Sequence, residues 1–297
     1  MHVAVIGGSG FVGRHVVSRL LAAGHAVTTV DLRAPAPQLV SEIVLEADVL
    51  ADDASEVAKR LAMVDAVVWL AARIRHSGVN EQADEDVRLS VEAPLALLRA
   101  LSPAPAAFVY LSSVQVYGRP VRLPVDEDHP TEPFTSYGVA KLLGEQVLAI
   151  AGKRAGTTIA SLRVAFIYGP GQHPSNVLPR FLEAVRQGKA PTVHGTGDEV
   201  RDDVYVGDVA NAVALALERR AHGAFNVASG RPHSLLDVAR AACKLGPAGL
   251  APLHDDVESH WIDRHYAVER ARSAFGFSAN TSFDEGVRAM WDAQSGA

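Results

Sequence analysis

Residues Val3 to Ile6 are all apolar, and the chain then passes through Gly7-Gly-Ser-Gly-Phe-Val-Gly13 straight into a helical pattern that ends at Gly24. No other feature constrains the fold as strongly. A fully apolar strand reads as one buried on both faces, and a tight glycine turn joining it to a helix opens a βαβ unit. The spacing fits G-x-G-x-x-G from Gly8 through Gly10 to Gly13. It also fits a looser form on Gly7, Gly10 and Gly13. A run of small residues can be only a tight loop, so its meaning comes from its neighbours. Between a strand and a helix, the glycines let backbone N–H groups and the helix N-terminus approach a pyrophosphate.

The rest of the chain repeats this alternation. Further strands are expected at Ala26 to Val30, Ala66 to Leu70, Phe108 to Leu111 and Thr158 to Leu162. Helices are expected around Phe11 to Ala23, Ala54 to Ala62, Asp86 to Leu101 and Tyr137 to Ala151. Buried strands alternating with helices imply an α/β, doubly wound parallel sheet of the Rossmann kind. After about residue 165 the rhythm loosens into Gly/Pro-rich turns. We therefore expect a dinucleotide-binding domain over 1–165 and a smaller C-terminal substrate-binding domain over 166–297, with some C-terminal segments returning to the first. Pro/Ala-rich stretches at 34–37, 103–107 and 247–252 read as loops.

Asp31 ends the second strand, 18 residues after Gly13. A carboxylate there accepts hydrogen bonds from the adenine ribose hydroxyls and repels a 2′-phosphate, which favours NAD over NADP. Arg33, two residues on, keeps NADP open, because a nearby arginine accommodates that phosphate.

The chemistry points to Ser112-Ser-Val-Gln-Val-Tyr-Gly118 and Tyr137-Gly-Val-Ala-Lys141. Tyr137 and Lys141, at i and i+4, share a helix face. A neighbouring ammonium favours the phenolate, so the expectation is a lowered tyrosine pKa and a usable base. Ser113 follows a buried strand at the carboxyl edge of the sheet, where doubly wound folds place their ligands. Its hydroxyl both donates and accepts, so it can relay or position a proton.

Charge and composition set outer limits. A formal charge of −6 without a Lys/Arg block gives no footprint for nucleic acid. No apolar segment approaches the ~18 residues of a membrane span, and the first residues run into a strand without a charged leader. The single Cys243 reads as a small buried hydrophobe, and a free thiol fits a reducing, cytoplasmic setting. His254, His260 and His265 are too irregularly spaced for paired ligands, so no metal is expected. Arg73, Arg75 and His76 follow the fourth strand, where they either meet a substrate or sit on a solvated loop.

Taken together, these motifs resemble the extended short-chain dehydrogenase/reductases, in particular the nucleotide-sugar epimerases and dehydratases, over nearly the whole chain. The likeness is carried by the glycine run, Asp31, Asp48-Val49, Trp69-Leu-Ala-Ala72, Ser113, Tyr137 and Lys141. It extends through Pro124-Val-Asp-Glu-Asp-His-Pro130, Arg163 with Ile167-Tyr-Gly-Pro-Gly171, Gly195 to Asp202, and Val204 to Val209. The resemblance implies NAD held by Gly7, Gly10, Phe11, Val12, Gly13, Asp31, Leu32, Arg33, Asp48, Val49, Leu70, Ala71, Ala72, Ser90, Tyr137, Lys141 and Ala165. It implies Ser113, Tyr137 and Lys141 as the catalytic set, and Ser113, Asn176 and Arg201 as contacts to a nucleotide-sugar substrate. A homodimer is expected on the same ground. Three departures bear on the substrate: Phe166 replaces a usual asparagine, Ser90 stands for another, and an R-P-G-D segment has no clear counterpart, with Arg264 and Arg270 as possible substitutes.

Dehydratases of this family carry an Asp-Glu pair directly after the catalytic Ser/Thr. Here Val114 and Gln115 stand there, and neither does acid–base work. Three readings follow: an epimerase acting at C4 by transient hydride transfer to bound NAD, a reductase or dehydrogenase that exchanges its cofactor, and a noncatalytic dinucleotide sensor. The intact Ser113/Tyr137/Lys141 set speaks against the last.

Overall fold

Alternate residues of the first strand serve two different cores. In the computed structural model, which describes residues 1–34, 42–61, 63–73, 83–257 and 262–295, the first half runs β1 (His2–Ile6), α1 (Phe11–Ala22), β2 (Ala26–Asp31), β3 (Glu42–Glu46), α2 (Ala54–Arg60), β4 (Ala66–Trp69), α3 (Ala83–Val87), a π-helical turn (Arg88–Glu92), α4 (Ala93–Ala100), β5 (Ala107–Ser113), a 3-10 turn (Val114–Tyr117), α5 (Ser136–Ala155) and β6 (Thr158–Val164). There follow β7 (Phe166–Tyr168), α6 (Val177–Arg186), β8 (Thr192–His194), β9 (Val200–Arg201), β10 (Asp203–Tyr205), α7 (Val206–Glu218), β11 (Gly223–Val227), β12 (His233–Ser234), α8 (Leu235–Cys243), β13 (Leu253–Asp255), α9 (Glu269–Phe275) and α10 (Phe283–Ser295).

Seven strands form one sheet in the order β11-β6-β5-β4-β1-β2-β3, every pairing parallel. Because side chains alternate across a strand, Val3, Val5, Val68 and Val109 face α1 and α7, meeting Val16, Leu20, Val209 and Val213. Ala4, Ile6, Val67, Trp69 and Phe108 face the other way, onto Val57, Leu98 and Leu148 of α2, α4 and α5. Burying such a side chain fully is worth about 1.5–3 kcal/mol, so both layers are needed to hold a strand that is apolar throughout. A third core joins α6, α8 and α10 through Leu182, Val185, Val238, Ala242, Val287 and Met290.

This is the expected doubly wound α/β sheet. Two strands escaped the sequence reading: β3, and β11, which comes from the C-terminal half to pair with β6. The helix expected over Asp86 to Leu101 is interrupted by the π-helical turn before α4. Pro94 lies at the start of α4; its ring has no N–H to give and crowds the preceding turn, which favours a break in the i→i−4 ladder there.

β1 lies between β4 and β2, so the chain leaves it toward opposite edges of the sheet. The crevice at the carboxyl ends of such strands is where doubly wound folds bind ligands.

Candidate active site

A cleft of about 650 Å³ opens at that crevice. Its near end is the glycine turn. Gly7 has φ +83°, and a Cβ there would lie 2.8 Å from the Ala71 nitrogen, while one at Gly13 would lie 2.2 Å from the Gly7 carbonyl oxygen. Both positions therefore exclude a side chain for internal reasons. Gly10 differs, since a Cβ there would meet only the Gly7 carbonyl, at 3.4 Å, and would otherwise enter the cleft. Gly7, Gly10 and Gly13 all line it. Gly8 instead packs on β2, where a Cβ would fall 2.6 Å from Thr29. The looser glycine spacing is thus the one that builds the site. No side chain caps α1 at Gly10, so its first N–H groups and the positive end of its dipole remain suited to a phosphate.

Asp31, at the end of β2, lines the cleft as well. Its carboxylate accepts from Ser9 N at 2.9 Å and Leu32 N at 2.8 Å, which fixes both oxygens and leaves each a further lone pair for a ribose hydroxyl. Phe11, Val12, Leu32, Asp48, Val49, Leu70, Ala71, Ala72 and Ala165 all line the cleft, as expected. Asp48 is held by Leu50 N, which donates to its carboxylate at 2.9 Å. Arg33 and Ser90 are not among the lining residues. Arg33 offers its carbonyl to Ser9 Oγ at 2.9 Å. Ser90 is buried in the π-helical turn, and its carbonyl accepts from the Tyr110 hydroxyl at 3.0 Å. Trp69 is also a core residue: fully buried, it donates from Nε1 to the Leu89 carbonyl at 3.1 Å and ties β4 to that turn rather than facing the cleft.

The centre of the cleft holds Ser113, Tyr137 and Lys141. Ser113 ends β5, and its Oγ accepts from Gln115 N at 3.2 Å. Thr135 caps α5 by accepting from Gly138 N at 3.0 Å, and Tyr137 in the first turn lies near enough to Ser113 for that hydroxyl to act on its titration. Lys141, one turn on, is buried, donates to the Leu111 carbonyl at 2.8 Å and lies 5.7 Å from the centre of the Tyr137 ring. The expected lowering of the phenol's pKa is not found. Burial pushes it up, as does the negative charge of Asp86, and only the Ser113 hydrogen bond pulls it down. Burial also lowers Lys141 to about 7. Desolvation outweighs the charge–charge attraction that sequence spacing alone suggests.

The two positions after Ser113 are unsuited to acid–base work in their setting as well. Val114 is buried in the core, and the Gln115 side-chain carbonyl accepts from Thr135 Oγ1 at 3.0 Å.

The far end of the cleft is lined by Phe166, Tyr168, Gln172, His173, Asn176, Arg201 and Asp203 among others. Asn176 precedes α6 and donates from Nδ2 to the His173 carbonyl at 3.3 Å. Arg201 donates from Nε and Nη2 to Asp203 Oδ1, at 3.2 and 2.9 Å, and lies 4.8 Å above the Phe166 ring. Phe166 and Asp203 face each other across the β7–β10 pairing. Of the two arginines proposed as substitutes, Arg264 lies over the Phe166 ring, 5.7 Å from its centre. Arg270 is engaged by Asp128 at 2.6 Å and Glu127 at 3.5 Å. Arg73 lines the cleft and pairs with Glu85 at 2.5 Å, whereas Arg75, His76 and His260 lie outside the described residues. The acidic run near Arg201 is structural in part: fully buried Asp202 accepts from Ser229 and Gly230 nitrogens at 2.9 and 3.2 Å.

The sequence reading missed a buried network beneath the catalytic groups. Arg163 pairs with Glu145 at 2.8 Å and donates to the Tyr117 hydroxyl at 3.1 Å, while Ser112 donates to Glu145. It binds the end of β5 to α5 and β6. The signal was present as Glu145, one turn beyond Lys141 on the same helix face, and Arg163 in β6. Gln172 was missed too, because the bond from its side chain to the Ile167 carbonyl leaves no mark in the sequence.

The cleft's chemistry matches what comparison with known proteins finds. Residues 3–228 match the model of the NAD dependent epimerase/dehydratase family. A protein described as a putative UDP-glucose 4-epimerase, from Methanocaldococcus jannaschii, is 29% identical over 303 residues, covering 96% of each chain. Among solved structures, MoeE5 in complex with UDP-glucuronic acid and NAD is 28% identical with a TM-score of 0.85, covering 99% of both chains. The UDP-glucose 4-epimerase of Thermotoga maritima, solved with UDP-glucose, is 26% identical with a TM-score of 0.86, covering 100% of this chain and 99% of the other. With a glycine turn, an acid at the end of β2 and a Ser/Tyr/Lys set in one cleft, and three-quarters of its length matched, this chain is an enzyme whose cofactor is NAD and belongs to the NAD dependent epimerase/dehydratase family.

Proposed function

We propose that the protein epimerises a nucleotide sugar at C4. The observation that carries this reading is the pairing of a complete Ser113/Tyr137/Lys141 set with a buried valine and a tethered glutamine where dehydration needs an acid and a base. A hexose with its C4 hydroxyl at Tyr137 loses that proton to the phenolate, with Ser113 positioning or relaying it. Because burial raises the phenol's pKa, the base needs positive charge nearby, and the Lys141 ammonium is this chain's own source. Bound NAD supplies the hydride acceptor for the oxidation and the hydride donor for its return. The keto sugar must turn over between the two transfers while its nucleotide stays anchored, a task we assign to Asn176 and Arg201 at the far end of the cleft.

The segment 166–297 supplies most of that far end, which supports its role as a substrate-binding domain. The likeness to proteins solved with UDP-glucose and UDP-glucuronic acid supports a UDP-hexose or its uronic acid relative as substrate. Val139, Leu143 and Ile150, exposed at 49, 40 and 59% on α5, form an apolar stripe that supports a homodimer. No helix among the described residues is long and apolar enough to cross a membrane, and a buried free thiol at Cys243 suits the cytoplasm.

The test is incubation with C4-deuterated UDP-glucose, UDP-galactose or their N-acetyl and uronic acid counterparts. The expected product is the C4 epimer, with the label kept at C4 and no NADH released. Stoichiometric NADH in solution, or turnover only of a keto sugar with added reduced cofactor, would replace this reading with a reductase.

A further inference from the structure

Among the described residues, the lysines and arginines that line the cleft are Arg73, Lys141 and Arg201. Under the proposed function two of them already have an anion to meet: Lys141 the phenolate of Tyr137, and Arg201 the diphosphate of the nucleotide sugar. The diphosphate of NAD is served by the glycine turn and the start of α1. Arg73 is left as a cation on the cleft wall with no anion assigned to it from either ligand.

Its place is at the reacting end. β4 pairs with β5 in the register Trp69 to Tyr110, and β5 runs on through Leu111 and Ser112 to Ser113. The chain leaving β4 through Leu70, Ala71 and Ala72 therefore brings Arg73 to the same carboxyl edge as that serine, one strand over. A second route leads there from α3. Glu85 pairs with Arg73 Nη1 at 2.5 Å, and the next residue, Asp86, accepts from Ser136 Oγ at 2.7 Å, beside Tyr137. Both ties set Arg73 near Ser113 and Tyr137 rather than near Arg201.

The Arg73 side chain is 51% exposed, and among the described residues its guanidinium pairs only with Glu85, through Nη1. Nε and Nη2 stay open, and that edge can grip a carboxylate with two parallel bonds. Glu85 thus anchors the guanidinium and leaves one side of it for a ligand. In a hexopyranose the carbons next to C4 are C3, which bears a hydroxyl, and C5. The C5 substituent is a neutral hydroxymethyl in a hexose and a carboxylate in a hexuronic acid, ionised at neutral pH.

We propose that Arg73 is a specificity-determining residue that binds the C5 carboxylate of a nucleotide-linked hexuronic acid. This rests on the epimerase reading above and narrows its substrate from a hexose to the uronic acid.

The experiment sets wild type against Arg73→Gln, which keeps a polar side chain and removes the charge and the fork. Calorimetry on the full chain with saturating NAD gives the affinities for UDP-glucuronic acid and UDP-glucose, which differ only at C6. Wild type should prefer UDP-glucuronic acid. In the variant the ratio of the two affinities should fall by about tenfold or more, the worth of hydrogen bonds between charged groups. A separate titration gives the affinity for NAD. The proposal is overturned if the ratio moves by less than threefold, or if wild type binds UDP-glucose but not UDP-glucuronic acid. It is equally overturned if the variant loses NAD as strongly as it loses UDP-glucuronic acid, since that assigns Arg73 to the cofactor's phosphates. The expected ratio change together with NADH released in turnover would refute C4 epimerisation and leave the carboxylate contact standing. Wild type that binds neither sugar would overturn both.

Discussion

Replacing Lys141, catalytic under the proposed function, should make this protein more stable. Lys141 is buried at 1% exposure, and burial takes its ammonium from 10.5 to about 7. Between those values the unfolded chain binds a proton that the folded chain does not, so the stability this group contributes rises with pH through that window and is smallest below pH 7. At 1.36 kcal/mol per pH unit the cost of folding with Lys141 is about 4 kcal/mol at pH 7 and roughly 1 kcal/mol at pH 9.5. Lys141→Met removes that cost and gives up the bond to the Leu111 carbonyl, worth about 1–3 kcal/mol. The expected net effect at pH 7 is a gain of about 1–3 kcal/mol. The more decisive quantity is the difference between variant and wild type, because it cancels every other titrating group and the bond to Leu111 is lost at both pH values. That difference should shrink by about 3 kcal/mol between pH 7 and pH 9.5. Urea unfolding of the NAD-free proteins at the two pH values measures it. A difference that stays flat with pH would show that burial does not lower the Lys141 pKa.

Three other substitutions probe the proposed roles. Asp31→Ala should weaken NAD and narrow its advantage over NADP if the carboxylate fixed by Ser9 and Leu32 meets the ribose diol; titration with both cofactors checks this, and equal affinities in the unmutated protein would refute it. Asp86→Asn removes a negative charge that raises the Tyr137 pKa, so the acidic limb of the kcat/KM profile should move to lower pH. In Tyr137→Phe turnover should fall by about 10²–10⁴, and an Asp86→Asn profile identical to wild type would separate that limb from Tyr137.

Local features were the most legible in the sequence. The glycine turn, Asp31 and the Tyr137/Lys141 spacing each lie within one strand–turn–helix unit, where periodicity fixes which residues share a face. Ser113 could be placed because a buried apolar run ends just before it. What the sequence could not supply was the environment each group enters. The pKa of Tyr137 was misjudged because desolvation depends on what α3, α5 and β5 enclose together, and spacing carries no record of that. Trp69 directly precedes the expected cofactor contacts Leu70, Ala71 and Ala72, yet its indole is used to hold the π-helical turn, an element visible only once Pro94 is seen interrupting the helix. Arg33 is close to Asp31 in sequence, but the chain turns there and leaves only Leu32 on the cleft.

Arg201 shows how far naming a residue falls short of its chemistry. A lone guanidinium at the apolar end of a cleft would be costly to bury. Here its side chain is 15% exposed and its partner Asp203 only 6%, so each charge makes the other's burial tolerable. Phe166 lies against the guanidinium, and Asp203 holds one edge of it; together they fix a plane. Arginine's donors are rigid within that plane, so a diphosphate meeting it under the proposed function finds an oriented edge and loses little entropy in ordering it. The same pairing limits how much net positive charge the site offers, and geometry therefore carries more of the recognition than charge does. Phe166, which counts as a departure when it is compared with a motif, makes physical sense beside Asp203: the β7–β10 register sets the two side by side, one to support the guanidinium's face and the other its edge.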